Sequence, residues 1–325
     1  MNSPGWTAVA APRKVLLDTD IGSDVDDALA LGLMLTAPEA LDLVAVTTVS
    51  RDTVVRARVA AGLLGLGGRG DVEVCIGEAR PILRGENRFV WFGHEERCVV
   101  EGPAASITAE PACERIVRAA RETRALELLA IGPLTNVARA LALDPELPER
   151  LAGLTIMGGH VREARIGGRL GEPSFEYNLC SDPEATVAVL GAGFRTTLVP
   201  ADVTLSTWLR DADVEQLAAA GPLARALAEQ VRLWKPVQHK IFPALGRELE
   251  PDNAAFLHDP LTVLALLEDP ALHFERLRVV PTVEQGVLRT LAVDPQLGIG
   301  SELRVATRVD ARAAERAITE RLLRL

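Results

Sequence analysis

Short apolar runs alternate along most of this chain with longer stretches rich in Ala, Leu and Arg. Apolar runs of roughly four to eight residues are typical of buried strands, and the longer stretches have the pattern of helices. Strands and helices in alternation indicate a mainly parallel sheet covered by helices on both faces. We predict strands at 14–17, 43–49, 72–76, 126–131, 154–157 and 196–199. We predict helices at 26–35, 53–66, 112–123, 134–141, 183–190, 213–233 and 261–267.

The organisation of the chain indicates one domain. Its 325 residues are 48% hydrophobic and 25% charged, which is an ordinary globular mixture, and no stretch resembles a linker between two domains. We therefore predict one α/β domain with an open, mainly parallel sheet over residues 14–325, preceded by a flexible N-terminal tail at residues 1–13. Three less regular stretches, 84–106, 160–177 and 234–256, are predicted to form loops near a binding site.

Charge and hydropathy exclude several classes of protein. The 35 Lys and Arg residues against 45 Asp and Glu give a net charge of −10, which argues against a nucleic-acid binder. No apolar run approaches the roughly 18 residues of a membrane span, and the first residues lack the pattern of a signal peptide. We therefore expect a cytoplasmic protein that binds neither nucleic acid nor membrane. The four cysteines lack the spacing of a zinc site or a disulfide framework.

The strongest local signal is an acidic segment that directly follows the first predicted strand. Its carboxylates are Asp18, Asp20, Asp24, Asp26 and Asp27. Carboxylates packed this closely raise one another's pKa unless a cation neutralises them, and oxygen ligands favour Ca²⁺ or Mg²⁺. Ligands of parallel sheets bind at the carboxyl ends of the strands, so the segment predicts a metal site there. The alternative is a solvated acidic loop that caps the next helix.

Three further segments place polar groups next to predicted helices. The turn at 130–138 presents backbone carbonyls and amides after a strand. Glu176 and Asn178 put a carboxylate and an amide two residues apart, where they can bind adjacent hydroxyls of a sugar. His258 and Asp259 precede a helix, and a histidine near a cation and carboxylates is a natural proton donor at neutral pH. Each segment also has an ordinary structural interpretation, as a strand-to-helix turn, a capped loop or a helix N-cap.

Taken together and in this order, the segments resemble the nucleoside hydrolase family, the inosine-uridine preferring nucleoside N-ribohydrolases. The similarity covers nearly the whole chain from about residue 14. It is carried by LLDTDIGSDVDDALAL from residue 16, VTTVS from 46, AIGPLTNVA from 130, IMGG from 156, FEYN from 175, SDPEA from 181 and LHDPLTVL from 257. The resemblance implies the single-domain fold of that family, hydrolysis of ribonucleosides to ribose and free base, and assembly as a homodimer or homotetramer.

The resemblance also implies roles for individual residues. The implied ligands of a Ca²⁺ ion are the backbone carbonyl of Ile131 and the carboxylates of Asp20, Asp27 and Asp259. The implied ligands of the ribose hydroxyls are Asp26, Asp52, Glu176 and Asn178. As catalytic residues, His258 would protonate the departing base and Asp20 would accept the proton of the attacking water. An oxocarbenium-like transition state needs such negative potential near the ribose and a proton for the base.

Three positions depart from the family pattern. The acidic segment has the spacing D-x-D-x-G-x-D-x-D-D, two residues longer than the shorter D-x-D-P-G-x-D-D form, which leaves the relative roles of Asp24 and Asp26 open. Asp52 stands where many relatives have Asn. Leu170 stands where an amide side chain contributes to recognition of the ribose 5′-hydroxyl.

Two other functions compete with this interpretation. A phosphohydrolase of the haloacid dehalogenase type also has Asp-x-Asp after a strand, but it usually carries Thr or Val where this chain has Gly22. A non-catalytic nucleoside-binding protein would keep the ribose ligands without turnover. The preferred base is not assigned by any of these segments.

Overall fold

The computed structural model describes residues 11–83, 92–162, 164–166, 169–171, 176–244, 248–284 and 287–325. The elements up to the middle of the chain are β1 (Arg13–Thr19), α1 (Asp26–Leu35), β2 (Leu41–Thr48), α2 (Thr53–Leu66), β3 (Glu73–Cys75), a 3₁₀-helix (Glu95–Cys98), β4 (Ile107–Thr108), α3 (Ala112–Glu122), β5 (Glu127–Ala130), α4 (Thr135–Leu143), α5 (Leu147–Arg150) and β6 (Gly153–Met157). The remaining elements are β7 (Ala164–Ile166), β8 (Arg169–Gly171), α6 (Tyr177–Ser181), α7 (Pro183–Gly191), β9 (Thr196–Val199), α8 (Ala201–Thr204), β10 (Trp208–Arg210), α9 (Asp211–Ala219), α10 (Pro222–Ala244), β11 (Asn253–Phe256), α11 (His258–Leu266), β12 (Leu272–Glu284), β13 (Val287–Val293), a second 3₁₀-helix (Pro295–Leu297), β14 (Ser301–Val309) and α12 (Ala311–Leu322).

The main sheet is mainly parallel, as the alternation predicts. Its strand order within the described residues is β13-β12-β14-β9-β6-β5-β1-β2-β3-β4. The strands from β14 to β4 pair in parallel, whereas β12 pairs antiparallel with both β13 and β14. β1 therefore lies near the middle of the sheet, with β2 and β5 as its neighbours.

Helices cover both faces of the sheet. Successive residues of a strand point to opposite faces, and in β1 the fully buried Leu16 and Leu17 belong to different apolar clusters. Leu17 packs in the cluster that includes residues of α1, α10 and α11. Leu16 packs in the cluster that includes residues of α3, α4 and α7. This is the three-layer α/β arrangement that the sequence predicts.

The antiparallel edge of the sheet has no counterpart among the predicted strands. β12 carries charged and apolar residues in mixture, and many of its residues are exposed or half-buried. A strand that is solvated on one face lacks the continuous apolar run by which buried parallel strands are found. The criterion that finds β1 and β9 therefore misses β12 and β13.

Two predictions in the second half of the chain are wrong. The helix predicted at 213–233 is two helices, α9 and α10, because the backbone leaves the helical conformation at Ala220, where ψ is −153°. Gly221 follows, and a Cβ atom there would collide with the Leu325 carbonyl oxygen. Pro222 then begins α10, where its missing N–H costs nothing. The loop predicted from residue 234 begins only after Ala244, since α10 continues past Trp234, whose buried side chain packs in the core.

The predicted N-terminal tail ends where β1 begins. Residues 1–10 lie outside the described residues, and the N–H of Arg13 donates to the carbonyl of Ala40 at 2.8 Å. Among the helices of the described ranges, none combines the length and the apolar character needed to cross a membrane.

Candidate active site

The first part of the site lies at the carboxyl ends of β1 and β5. The N–H of Ile131 donates to the carbonyl of Asp18 at 2.8 Å, which ties the two strand ends together. A Cβ atom at Gly132 would lie 2.9 Å from Oδ1 of Asp20, so glycine allows the two chains to approach this closely. The structure thus brings the Asp20 side chain next to the Ile131–Gly132 turn, as the sequence predicts.

Three further carboxylates meet at the N-termini of two helices that pack against each other. Asp26 and Asp27 begin α1, and Asp259 lies in the first turn of α11. All three are buried, and each offers a carboxylate oxygen within 4.8 Å of the others. The N–H of Asp259 donates to Oδ2 of Asp26 at 3.3 Å, and the hydroxyl of Thr19 donates to Oδ1 of Asp27. Helix N-termini favour negative charge, which lowers the cost of this arrangement.

The electrostatics of this cluster favour a bound cation. Burial raises the pKa of Asp26, Asp27 and Asp259 well above the ordinary value, and the neighbouring carboxylates raise it further. Burial also raises the pKa of Asp20, against the opposing effect of Arg56. Oδ1 of Asp259 has no hydrogen-bond partner among the described residues, although the side chain is buried. A buried, unpartnered carboxylate oxygen is costly, and an oxygen cage of this charge fits a divalent metal ion.

Arg56 is a functional residue that the sequence does not reveal. It lies on α2, is 0% exposed and reaches into the segment of residues 20–27, which we call the Asp loop. Its guanidinium donates to the carbonyls of Asp20, Ile21 (2.9 Å) and Ser50 (2.7 Å), and it lies 3.8 Å from the carboxylate of Asp20. The backbone of the Asp loop is therefore folded around the buried guanidinium of Arg56. Nothing in the sequence distinguishes this arginine from Arg58, the other charged residue of the helix.

Asp18 is a buried residue at the end of β1 that binds side chains from β2 and α4. Its Oδ1 accepts hydrogen bonds from the hydroxyl of Thr47 (2.6 Å) and from Nδ2 of Asn136 (2.7 Å). Burial raises the pKa of Asp18 to about 7. Nδ2 of Asn136 also donates to the carbonyl of Thr48 at 2.9 Å, so these side chains join the ends of β1 and β2 to α4.

Glu176 and Asn178 enter the site from α6. Glu176 is the N-cap of this helix, and its carboxylate accepts from the N–H groups of Asn178 (2.7 Å), Leu179 (2.9 Å) and Gly159 (2.9 Å). Burial raises the pKa of Glu176 to about 7, against these three donors. Nδ2 of Asn178 donates to the carbonyl of Ile131 at 2.8 Å. The structure thus brings Asn178 into contact with the Ile131 carbonyl predicted to bind the metal, and it brings Glu176 near enough to Asp20 for the charge of Asp20 to raise the Glu176 pKa.

His258 is the first residue of α11 and lies beside the acidic cluster. A ring nitrogen of His258 lies within 4.8 Å of carboxylate oxygens of Asp24 and Asp26. Its Nδ1 is 2.6 Å from the hydroxyl of Thr204, and its ring lies 5.2 Å from that of Phe256, so the ring orientation is fixed. Burial lowers the pKa of His258 to about 4. Asp24, whose role the sequence leaves open, therefore lies on the histidine side of the cluster.

Asp52 lies apart from the carboxylate cluster. It is exposed after β2 and is the N-cap of α2, where its Oδ1 accepts from the N–H of Val55 at 3.0 Å. The two preceding residues, Ser50 and Arg51, have φ angles of 69° and 62°. This left-handed backbone conformation is uncommon for residues other than glycine. Leu170 belongs to β8, and its side chain falls outside the described part of the chain.

Tyr177 is a second residue that the sequence analysis missed. It is the single tyrosine of the chain and stands between Glu176 and Asn178. Burial raises the pKa of its hydroxyl, and the charge of Asp20 raises it further. The tyrosine side chain therefore lies near the acidic cluster, although the sequence pattern assigns roles only to its two neighbours.

Comparison with known proteins shows the family to which the chain belongs. The sequence model of the family described as inosine-uridine preferring nucleoside hydrolase matches residues 15–316. The chain belongs to this family. The prediction of a nucleoside-hydrolysing glycosidase is thereby confirmed at the level of the nucleoside hydrolase family, and the match favours it over the phosphohydrolase alternative.

Individual relatives of this nucleoside hydrolase differ in the bases that their names specify. A pyrimidine-specific ribonucleoside hydrolase of Shewanella baltica is 32% identical over 263 residues, which cover 79% of this chain and 78% of the relative. A plant nucleoside hydrolase of known structure is 23% identical, with a TM-score of 0.81 over 96% of this chain and 99% of the other. A purine-preferring ribonucleoside hydrolase from Gardnerella vaginalis is 24% identical, with a TM-score of 0.79 over 95% of this chain and 98% of the other. Both structures support the predicted single-domain fold.

Proposed function

We propose that this nucleoside hydrolase cleaves the N-glycosidic bond of ribonucleosides to ribose and free base, and that the reaction depends on Ca²⁺. The observation that carries the proposal is the buried cluster of Asp26, Asp27 and Asp259, whose oxygens lie within 4.8 Å of one another. The proposed metal ligands are Asp20, Asp27, Asp259 and the carbonyl of Ile131. A bound Ca²⁺ would hold the ribose 2′- and 3′-hydroxyls and lower the pKa of a coordinated water.

The hydrogen bonds of Glu176 and Asn178 support their proposed role as ribose ligands. A carboxylate accepts about four hydrogen bonds, and Glu176 uses three of these positions on backbone N–H groups. One position is left for a ribose hydroxyl. Nδ2 of Asn178 is directed at the Ile131 carbonyl, which leaves its Oδ1 to accept a second hydroxyl. We assign the remaining ribose contacts to Asp26 and to the oxygen of Asp52 that does not cap α2.

Asp20 and His258 are the proposed catalytic residues. Asp20 accepts the proton of the water that attacks the anomeric carbon. His258 donates a proton to the departing base, and Thr204 fixes its ring in position. Burial lowers the pKa of His258 to about 4 and so favours the neutral imidazole. With a cation in the cluster holding Asp24 and Asp26 ionised, the two carboxylates beside the ring would favour the imidazolium form that can donate. The close approach of these carboxylates therefore supports general acid catalysis by His258.

A reducing-sugar assay across purine and pyrimidine ribonucleosides, with and without a calcium chelator, tests this function. We expect ribose release that stops on chelation and returns with added Ca²⁺. The 2′-deoxyribonucleosides should be poor substrates, because they lack one of the two hydroxyls that the site binds. The panel also measures the base preference, on which the relatives differ.

Three outcomes of this assay would contradict the proposal. Full turnover after complete removal of calcium would refute the metal dependence. Binding of ribonucleosides without turnover at high enzyme concentration would support a non-catalytic nucleoside-binding protein. Release of phosphate from nucleotides, without reducing sugar from nucleosides, would support a phosphohydrolase. The homodimer or homotetramer and the cytoplasmic location stay predictions.

A further inference from the structure

Residues 92–98, which we call the 92–98 segment, lie against the outside of the Asp loop. Nε2 of His94 is 2.8 Å from the carbonyl of Ser23. Because a carbonyl oxygen only accepts, Nε2 carries the hydrogen and donates it. Oε1 of Glu95 accepts from the hydroxyl of Ser23 (3.4 Å) and from the N–H of Phe92 (2.9 Å), which closes the turn that presents His94.

The 92–98 segment is largely buried and packs against α10. His94 is 7% exposed and Glu95 is 1% exposed. The ring of His94 packs against those of Phe92, at 6.2 Å, and Trp234 of α10, at 6.0 Å, which contact each other at 5.3 Å. Nε2 of Gln230, also on α10, donates to the carbonyl of Cys98 at 2.8 Å. Two residues of α10 therefore hold the segment that carries His94: Trp234 contacts the His94 ring, and Gln230 binds the Cys98 carbonyl.

The contact falls on the part of the Asp loop where this chain is longer than the short family form. Ser23 lies between Gly22 and Asp24, before α1 begins at Asp26. Its hydroxyl also lies 3.3 Å from Nη2 of Arg56. Arg56 thus contacts the hydroxyl of Ser23, and His94 donates a hydrogen bond to its backbone carbonyl. The longer connection includes Asp24 and leads directly into Asp26 and Asp27, so the position of Ser23 governs where these carboxylates lie.

We propose that His94 is a positioning residue of the site: its hydrogen bond to the Ser23 carbonyl holds the Asp loop in the conformation that binds the metal ion. This inference rests on the proposed function. His94 belongs to neither group of candidate metal ligands, and its polar contact is with the loop backbone at Ser23, through which we propose that it acts. A histidine in the core with only a packing role would stabilise the fold but leave the metal affinity of the folded protein unchanged.

Two substitutions of His94 separate these roles. His94→Gln keeps an N–H donor at nearly the same position, whereas His94→Leu fills the space without a donor. Removing a group that orients metal ligands typically costs about 10- to 100-fold in metal affinity, so we expect His94→Leu to weaken Ca²⁺ binding about tenfold in calorimetric titration of the metal-free protein. His94→Gln should stay within about threefold of wild type. The lost turnover of His94→Leu should return at saturating Ca²⁺.

Hydrogen exchange on the metal-free protein tests the same contact without any metal. We expect amides of residues 21–25 to exchange about tenfold faster in His94→Leu and at nearly the wild-type rate in His94→Gln. Equal exchange at 21–25 in wild type and His94→Leu would overturn the inference, as would equal Ca²⁺ affinity in these two proteins. If wild type binds no Ca²⁺, the proposed metal dependence fails, and hydrogen exchange alone decides the role of His94.

Discussion

Replacement of Asp20 by Asn is expected to abolish Ca²⁺ binding and to lower kcat/KM by at least about 10⁴-fold. The substitution keeps the shape of a side chain that packs against Gly132, but it removes both a metal ligand and the proton acceptor for the attacking water. Loss of a general base alone typically costs about 10² to 10⁴-fold. Calorimetric Ca²⁺ titration and the reducing-sugar assay measure the two effects.

Two controls accompany the Asp20 variant. Asp71→Asn changes a carboxylate whose side chain is 66% exposed near the amino end of β3, and it should leave both measurements unchanged. Thermal unfolding in chelator checks that Asp20→Asn is folded, because the substitution relieves repulsion among buried carboxylates but also removes the ion pair of Asp20 with Arg56. Retained Ca²⁺ binding and turnover in Asp20→Asn would refute the proposed ligand set.

Replacement of His258 by Ala is expected to lower kcat for natural ribonucleosides by about 10² to 10⁴-fold, with unchanged Ca²⁺ affinity. The expectation follows from the proposed proton transfer to the departing base. A ribose derivative with p-nitrophenolate as leaving group needs no such proton, so its hydrolysis should fall by less than about tenfold. Equal losses on both substrates would show that His258 does not protonate the leaving group.

A second variant, Thr204→Val, tests the same proton transfer by a more conservative change: it keeps His258 and removes the hydroxyl that contacts its ring. The hydroxyl of Thr204 lies 2.6 Å from Nδ1 of His258 and fixes the ring. We expect a smaller loss on natural ribonucleosides than for His258→Ala, again with little effect on the p-nitrophenyl substrate. The same dependence on the leaving group in both variants would show that they act on one proton transfer.

Much of the parallel part of the fold could be predicted from the sequence. The predicted bounds of α1 and α2 match the structure at both ends, and β9 also matches. These elements have strong local signals, which are a run of β-branched and apolar residues for the strand and polar residues before each helix. The antiparallel edge gave no such signal, since its strands are partly solvated. At the division between α9 and α10, Gly221 allows the close approach of Leu325, a contact that lies far away along the chain and has no local sequence signal.

In the candidate site, too, the residues next to predicted elements could be identified from the sequence, whereas those that act through long-range contacts could not. The acidic segment could be placed at the carboxyl edge of the sheet because it follows the first predicted strand. The grouping of Asp27 with Asp259, by contrast, was implied only by the resemblance to the family. The roles of Arg56 and His94 were not predictable from their patterns. Each side chain binds backbone carbonyls of a distant loop, and the sequence does not record which carbonyl a buried donor meets.

The most direct test of the account is a crystal structure grown with saturating Ca²⁺ and ribose. We predict one ion at about 2.3–2.6 Å from carboxylate oxygens of Asp20, Asp27 and Asp259 and from the Ile131 carbonyl, with the ribose 2′- and 3′-hydroxyls on the same ion. Density for solvent alone at this position, with the three carboxylates pointing away from one another, would contradict the account.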